Sequence, residues 1–91
     1  MPWKINGEGP EVLEVWEDFN GNLWFVSEHI DDDIKYGYAR FYHMPDCAEW
    51  GTFSINEIKN AHHSPHMVWR VTKRNWPNIE SYEKGLFVEV E

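Results

Sequence analysis

Three histidines within five residues, His62-His63-Ser64-Pro65-His66, are the densest set of side chains in this chain that could do chemistry. Imidazole is the commonest transition-metal ligand, so His62, His63 and His66, with His43 or Cys47 alongside, could make a tetrahedral Zn or Ni site. Against that, Pro65 prevents a regular helix through the tract, which removes the i, i+4 geometry of His62 and His66. No Cys-x-x-Cys or His-Glu-x-x-His spacing occurs either, and a polar loop rich in His is the plainer account of the same letters. Glu28 and Glu49 are a second candidate pair. Flanking one groove they could supply two carboxylates for acid/base work or hold a divalent ion; ending strands, they would accept from a neighbour such as Arg40. Cys47, the single cysteine, follows His43-Met-Pro-Asp46. A working thiol needs a base and an oxyanion donor beside it, and here only nearness in number is on view. Asp31-Asp32-Asp33 lacks the glycine and the distant glutamate of a calcium loop, and Gly7 and Gly9 do not form a phosphate-cradling loop.

Charge is the next signal. The 91 residues carry a net charge of -8. Up to Asp33, nine acids (Glu8, Glu11, Glu14, Glu17, Asp18, Glu28, Asp31, Asp32, Asp33) face Lys4 alone, while acids and bases balance beyond it. If Glu14, Glu17, Asp18, Glu28 and Asp31 to Asp33 share a flank, their field repels nucleic-acid and membrane phosphates and attracts a basic protein surface. The same acids read more blandly as solvent-side residues that keep strand edges from pairing. Arg70, Lys73 and Arg74 with Trp69 and Trp76 form the one basic and aromatic patch. In a basic protein that patch would suit single-stranded nucleic acid; at this net charge the long-range field opposes it, and Trp69 and Trp76 are expected in the core.

The elements that must position these groups are strands. Val12 to Glu17 fits a helical stripe and a strand about equally, but Asn20-Gly21 is a strong hairpin signal for a type I′ turn, and Leu23 to Glu28 is β-rich. The spacing therefore predicts two antiparallel strands across Asn20-Gly21. The acidic run then breaks the chain. A third strand is expected over Lys35 to His43, with Tyr36, Tyr38, Arg40 and Tyr42 on one face and something packed closely over Gly37 and Ala39 on the other. Pro45-Asp46 reads as the following turn and Glu49 to Phe53 as a fourth strand. Ser54-Ile-Asn-Glu57 has the form of a capping box opening a short helix near residues 54–60. A fifth strand is expected over His66 to Lys73 and a last one over Leu86 to Val90. The sum is an α+β or mainly-β class: an antiparallel sheet of five to six strands with one short helix, a single domain over residues 1–91 whose residues 1–10 are a loose opening segment.

Trp24-Phe-Val-Ser-Glu28, an acidic spacer, Tyr36-Gly37-Tyr38 and Glu49-Trp-Gly-Thr-Phe-Ser-Ile-Asn-Glu-Ile58 carry a family likeness. Residues 23 to 59 resemble domain-of-unknown-function family 2958, a bacterial and mobile-element family with a Trp-Tyr-x-x-Glu strand, an aromatic-Gly strand and a Glu-x-Gly-Tyr-Phe-Ser-Leu-x-Glu-Leu corner. Thr52 stands where that pattern prefers Tyr, and Tyr36 where it prefers Phe. The resemblance implies the strand order and no activity.

No run approaches the roughly 18 apolar residues that span a bilayer, the N-terminus lacks the apolar stretch of a signal peptide, and one cysteine makes an internal disulfide impossible, so the expected compartment is the cytoplasm. Two functional expectations follow. The first is a non-enzymatic protein-binding or adaptor module that meets a basic partner through its acidic N-terminal third, without a cofactor. The second is a small metal- or carboxylate-dependent enzyme using Glu28, Glu49 and His62, His63 and His66. The first is favoured because it requires no motif that is missing.

Overall fold

The computed structural model describes residues 1–79 and 83–91. The protein is mainly β: a five-stranded antiparallel sheet, a two-stranded antiparallel sheet, and one short helix. The strands are β1 (Trp3–Ile5), β2 (Glu14–Asp18), β3 (Leu23–His29), β4 (Ile34–Phe41), β5 (Met44–Ser54), β6 (Val68–Arg70) and β7 (Phe87–Glu89), and the helix α1 (Ile55–Asn60) follows β5 directly. The large sheet runs β5-β4-β3-β2-β6, and β1 pairs with β7 in the small one. Short 3-10 segments cover Pro65–Met67 and Lys73–Asn78. No helix among the described residues is long and apolar enough to cross a membrane.

Alternation sorts the side chains of the large sheet. Partners across a ladder point the same way, so Val15, Phe25 and Tyr38 share one face, as do Trp16, Trp24 and Ala39 on the other. The first face packs on the small sheet. Val15, Leu23 and Phe25 are sealed there with Ile5, Val12, Trp76 and Leu86, and Phe87 meets Phe25 at 4.9 Å and Trp76 at 5.4 Å between ring centres. Rings of this size bury about 150 to 250 Å² each, so these few side chains close the core of a short chain. Helix α1 lies over the opposite face, where Ile55, Trp24, Val26 and Val68 are buried. Lys59 from α1 sits over the Trp16 ring at 5.0 Å.

Several sequence expectations change in detail. The hairpin at Asn20-Gly21 forms, but the left-handed residue is Gly21 alone (φ 85°); Asn20 is not among the positive-φ residues. The Gly21 amide donates to the Asp18 carbonyl and the Asp18 amide to the Asn22 carbonyl, both at 3.1 Å. That is a three-residue loop with a bulge, not a type I′ turn. The next reversal comes at Tyr42 and His43, ahead of Pro45-Asp46, because Phe41 already pairs with Met44. Pro45 to Ala48 instead bulge out of β5, which an edge strand tolerates since a proline there costs no ladder bond. The opening segment is not loose throughout: Trp3–Ile5 pairs residue for residue with Phe87–Glu89. The stretch expected as a strand over His66 to Lys73 is one only from Val68 to Arg70. Gly37 meets the tight contact foreseen for it, though from within the sheet: a β-carbon there would lie 1.8 Å from the Phe25 carbonyl oxygen. A bulge in the neighbouring ladder between Val26 and Glu28 accompanies that approach.

Candidate functional site

The strongest polar constellation joins residues that are 44 apart in the chain. Asp18 ends β2, and its carboxylate folds over the hairpin loop: Oδ1 accepts from the amides of Asn20 (3.0 Å) and Asn22 (2.9 Å), and Oδ2 from the Asn22 side-chain amide (2.9 Å). Aspartate does this readily because its short side chain reaches amides two residues on. His62 arrives from the other side, just past the end of α1. Its Nδ1 lies 2.7 Å from the Ile58 carbonyl and its Nε2 3.0 Å from Asp18 Oδ2. Carbonyl and carboxylate oxygens only accept, an arrangement that the imidazolium form, with two N–H donors, satisfies in full. The Ile58 carbonyl, with help from Asp18, holds the His62 pKa above its ordinary 6.5 against the opposing effect of burial. The side chains are 10% and 1% exposed, so the pair lies almost wholly out of water.

Next to that pair a hollow of about 520 Å³ opens between α1 and the sheet, with Trp24, Phe53, Ile58 and Ala61 as its apolar wall and Asn20 and Glu57 at its polar rim. Its two titratable inner groups are committed. Asp18 accepts four hydrogen bonds and both nitrogens of His62 are engaged. Neither has a free position from which to move a substrate proton.

The acids expected to bind a partner do not crowd one flank. Strand alternation sends Glu14 and Glu17 to opposite faces of the sheet. Glu14 accepts from the Trp16 indole (2.7 Å) and from Arg70 (3.2 Å), and Asp18 is buried. At the far end of β3, Asp31 Oδ1 accepts from the amides of Asp33 (2.8 Å) and Ile34 (2.6 Å). Those bonds hold its pKa below the ordinary 3.8. Lys35, buried beneath, donates from Nζ to the Asp31 and Asp32 carbonyls. Asp33 is a helix cap: its carboxylate accepts from the Asn56 amide (2.7 Å) and from the Ser54 hydroxyl, which in turn accepts from the Glu57 amide (3.1 Å). The capping box therefore closes through Asp33, 21 residues upstream of Ser54, in place of Glu57. Glu28 and Asp32 face solvent.

The groups proposed for catalysis stay apart. Glu28 pairs with Tyr36 and Glu49 with Ala39, three residues further along β4, so the two carboxylates leave on opposite faces. Arg40, the suggested neutraliser of these glutamates, lies 3.7 Å from Glu83. His62 is held by Asp18 while His63 and His66 are exposed, and no three His, Cys, Asp or Glu side chains among the described residues group as metal ligands. His43 stacks edge-on against Tyr42, and Cys47 is a free thiol on the exposed β5 bulge. The basic patch is partly taken up by contacts within the chain. Arg70 is on Glu14, Lys73 lies 5.6 Å from the Trp76 ring centre, and of the two tryptophans expected in the core Trp76 is buried whereas Trp69 is 40% exposed. Sequence reasoning missed the pairing of Asp18 with His62 and the capping role of Asp33; neither leaves a local signal, since each partner comes from a distant segment.

No family model matches this chain, and no curated protein or solved structure matches it either.

Proposed function

We propose that the chain is a non-enzymatic binding module that meets a basic protein surface through its solvent-facing carboxylates. The observation that carries the reading is the fate of the cations. Lys35 and Arg40 are buried, Lys59 lies over the Trp16 ring and Arg70 is held by Glu14, while Lys73, Arg74 and Lys84 stay at the surface and Asp18 is the one buried acid among the described residues. Meanwhile Glu8, Glu11, Glu28, Asp32, Asp46 and Glu49 are exposed and enter no ion pair among the described residues. The excess of acids in the composition is therefore larger at the surface, where a cationic partner would feel it. The saturated Asp18 and His62 pair supports a role without chemistry. An exposed free thiol at Cys47 suits a reducing compartment, in keeping with the cytoplasm. The likeness of residues 23 to 59 to family 2958 brings no activity with it, so the reading rests on the surface.

Fluorescence anisotropy with a lysine- and arginine-rich peptide tests this. Binding is expected at about 0.05 M salt and is expected to vanish by about 0.3 M, where charges are screened within a few ångströms. A Glu28→Lys/Asp32→Lys variant binds more weakly at low salt. Absence of binding at low salt, or binding indifferent to salt, rejects the proposal.

A further inference from the structure

The two edges of the large sheet differ in what they leave open. At one, β6 offers three residues. At the other, β5 is eleven residues long. Its first half is spoiled for further pairing by the Pro45 to Ala48 bulge, but from Glu49 to Ser54 every residue pairs with Ile34 to Ala39 in unbroken register. The outer side of that stretch is a row of backbone donors and acceptors in extended form, the template on which an added strand forms. At Gly51 a β-carbon would meet nothing within 4 Å. β5 carries two carboxylates, Asp46 and Glu49, and no basic residue. On the core-side face the edge borders a hollow of about 310 Å³ lined by Trp50, Tyr38, Pro10 and Glu8. Trp50 stacks on Tyr36 with ring centres 5.9 Å apart.

We propose that the Glu49–Ser54 edge of β5 receives an extended, arginine-bearing segment of a partner protein as a sixth strand of the large sheet. This rests on the binding-module reading and names the surface and the form of the partner. Alternation supplies the recognition. A side chain entering the Trp50 hollow lays a guanidinium against the ring with the Glu8 carboxylate at its rim, and the next one, on the opposite face, meets Glu49. Arginine suits both because its planar cation stacks on rings and pairs with carboxylates. A second copy of this chain is a poor occupant, since it would bring another -8 of charge to the same edge.

The test uses the full chain and three synthetic octapeptides: one alternating arginine with valine and threonine, its glutamate counterpart, and the arginine peptide N-methylated at alternate amides along one edge. Affinity is read by calorimetry and amide exchange by NMR. The expected result is that the arginine peptide binds, slows exchange at amides between Glu49 and Phe53, and loses at least about tenfold in affinity on N-methylation, as two or three lost hydrogen bonds require. Glu8→Gln and Glu49→Gln should each weaken it, and the glutamate peptide should not bind. Equal binding of the N-methylated peptide overturns the edge while leaving charge attraction standing; no binding of either arginine peptide overturns both readings. Concentration-dependent dimerisation that protects the same amides gives the edge to a second copy and overturns the proposal.

Discussion

Two corners of the large sheet are built from aspartates of the same acidic third of the chain, and they use them in opposite ways. At the β2-β3 corner, Asp18 is withdrawn from water and met by the His62 ring, brought in by the end of α1, whose pKa is raised there. At the β3-β4 corner, Asp31 and Asp33 stay nearer solvent and spend their oxygens on amides and a hydroxyl of a turn and a helix start. Burying a carboxylate costs several kcal/mol unless it is paired, so the first corner depends on every member being present. The second loses only local hydrogen bonds when a member goes, because water can replace them. Charge of one sign in a sequence therefore does not mean one kind of work.

The comparison breaks most sharply at Asp18. Asp18→Ala strands the His62 cation in a buried position and removes the acceptor of the hairpin loop, and is expected to lower unfolding free energy by about 3 to 5 kcal/mol in urea titrations near pH 6. His62 gives the same corner a pH signature. Its folded pKa is raised above 6.5, so the stabilisation is fully present below pH 6.5 and is lost as pH rises through the higher folded value. Denaturation midpoints measured upward from pH 6 should fall, and His62→Gln should flatten that fall. Its own cost should be smaller than that of Asp18→Ala, since Asp18 keeps its three amide donors. A flat wild-type profile would mean that folding leaves the His62 pKa unshifted, and a rising one that the ring is neutral in the folded chain. At the other corner, Asp33→Ala should cost about 1 to 2 kcal/mol, the range of a lost helix cap. Asp31→Asn should be the mildest. The Asp31 contribution is present above pH 3.8 and lost as pH falls through its lower folded pKa, so a carboxyl titration by NMR with a midpoint at or above 3.8 would contradict the turn described for it.

The sheet and helix were largely legible because their signals are local. Asn20-Gly21 marks a reversal whatever the loop type, Leu23 to Val26 is an unbroken run of large apolar and aromatic residues, and Ser54 opens the helix it caps. What could not be read depends on register. Pro45 looks like a turn residue until it is known that Phe41 has already met Met44. Trp69 and Trp76 are alike as letters, and only the short edge position of β6 leaves the first at the surface. Glu28 and Glu49 are separable only once the parity of Tyr36 and Ala39 on the strand between them is fixed. Long-range pairs such as His62 with Asp18, or Asp33 with Ser54, leave no trace in either neighbourhood, which is why a histidine that looked like a ligand is a structural cation and an aspartate that looked like a docking charge is a cap.

The close approach of two backbones at Gly37 reaches beyond this one molecule. With the Phe25 carbonyl oxygen where any side chain would have to begin, no other amino acid can stand at that position while the strands keep their spacing. Distant kin sharing this sheet should therefore betray themselves by a glycine flanked by ring-bearing residues, shortly after an acidic turn and one strand ahead of a serine that starts a helix. That short signature would survive after the rest of the sequence had drifted past recognition.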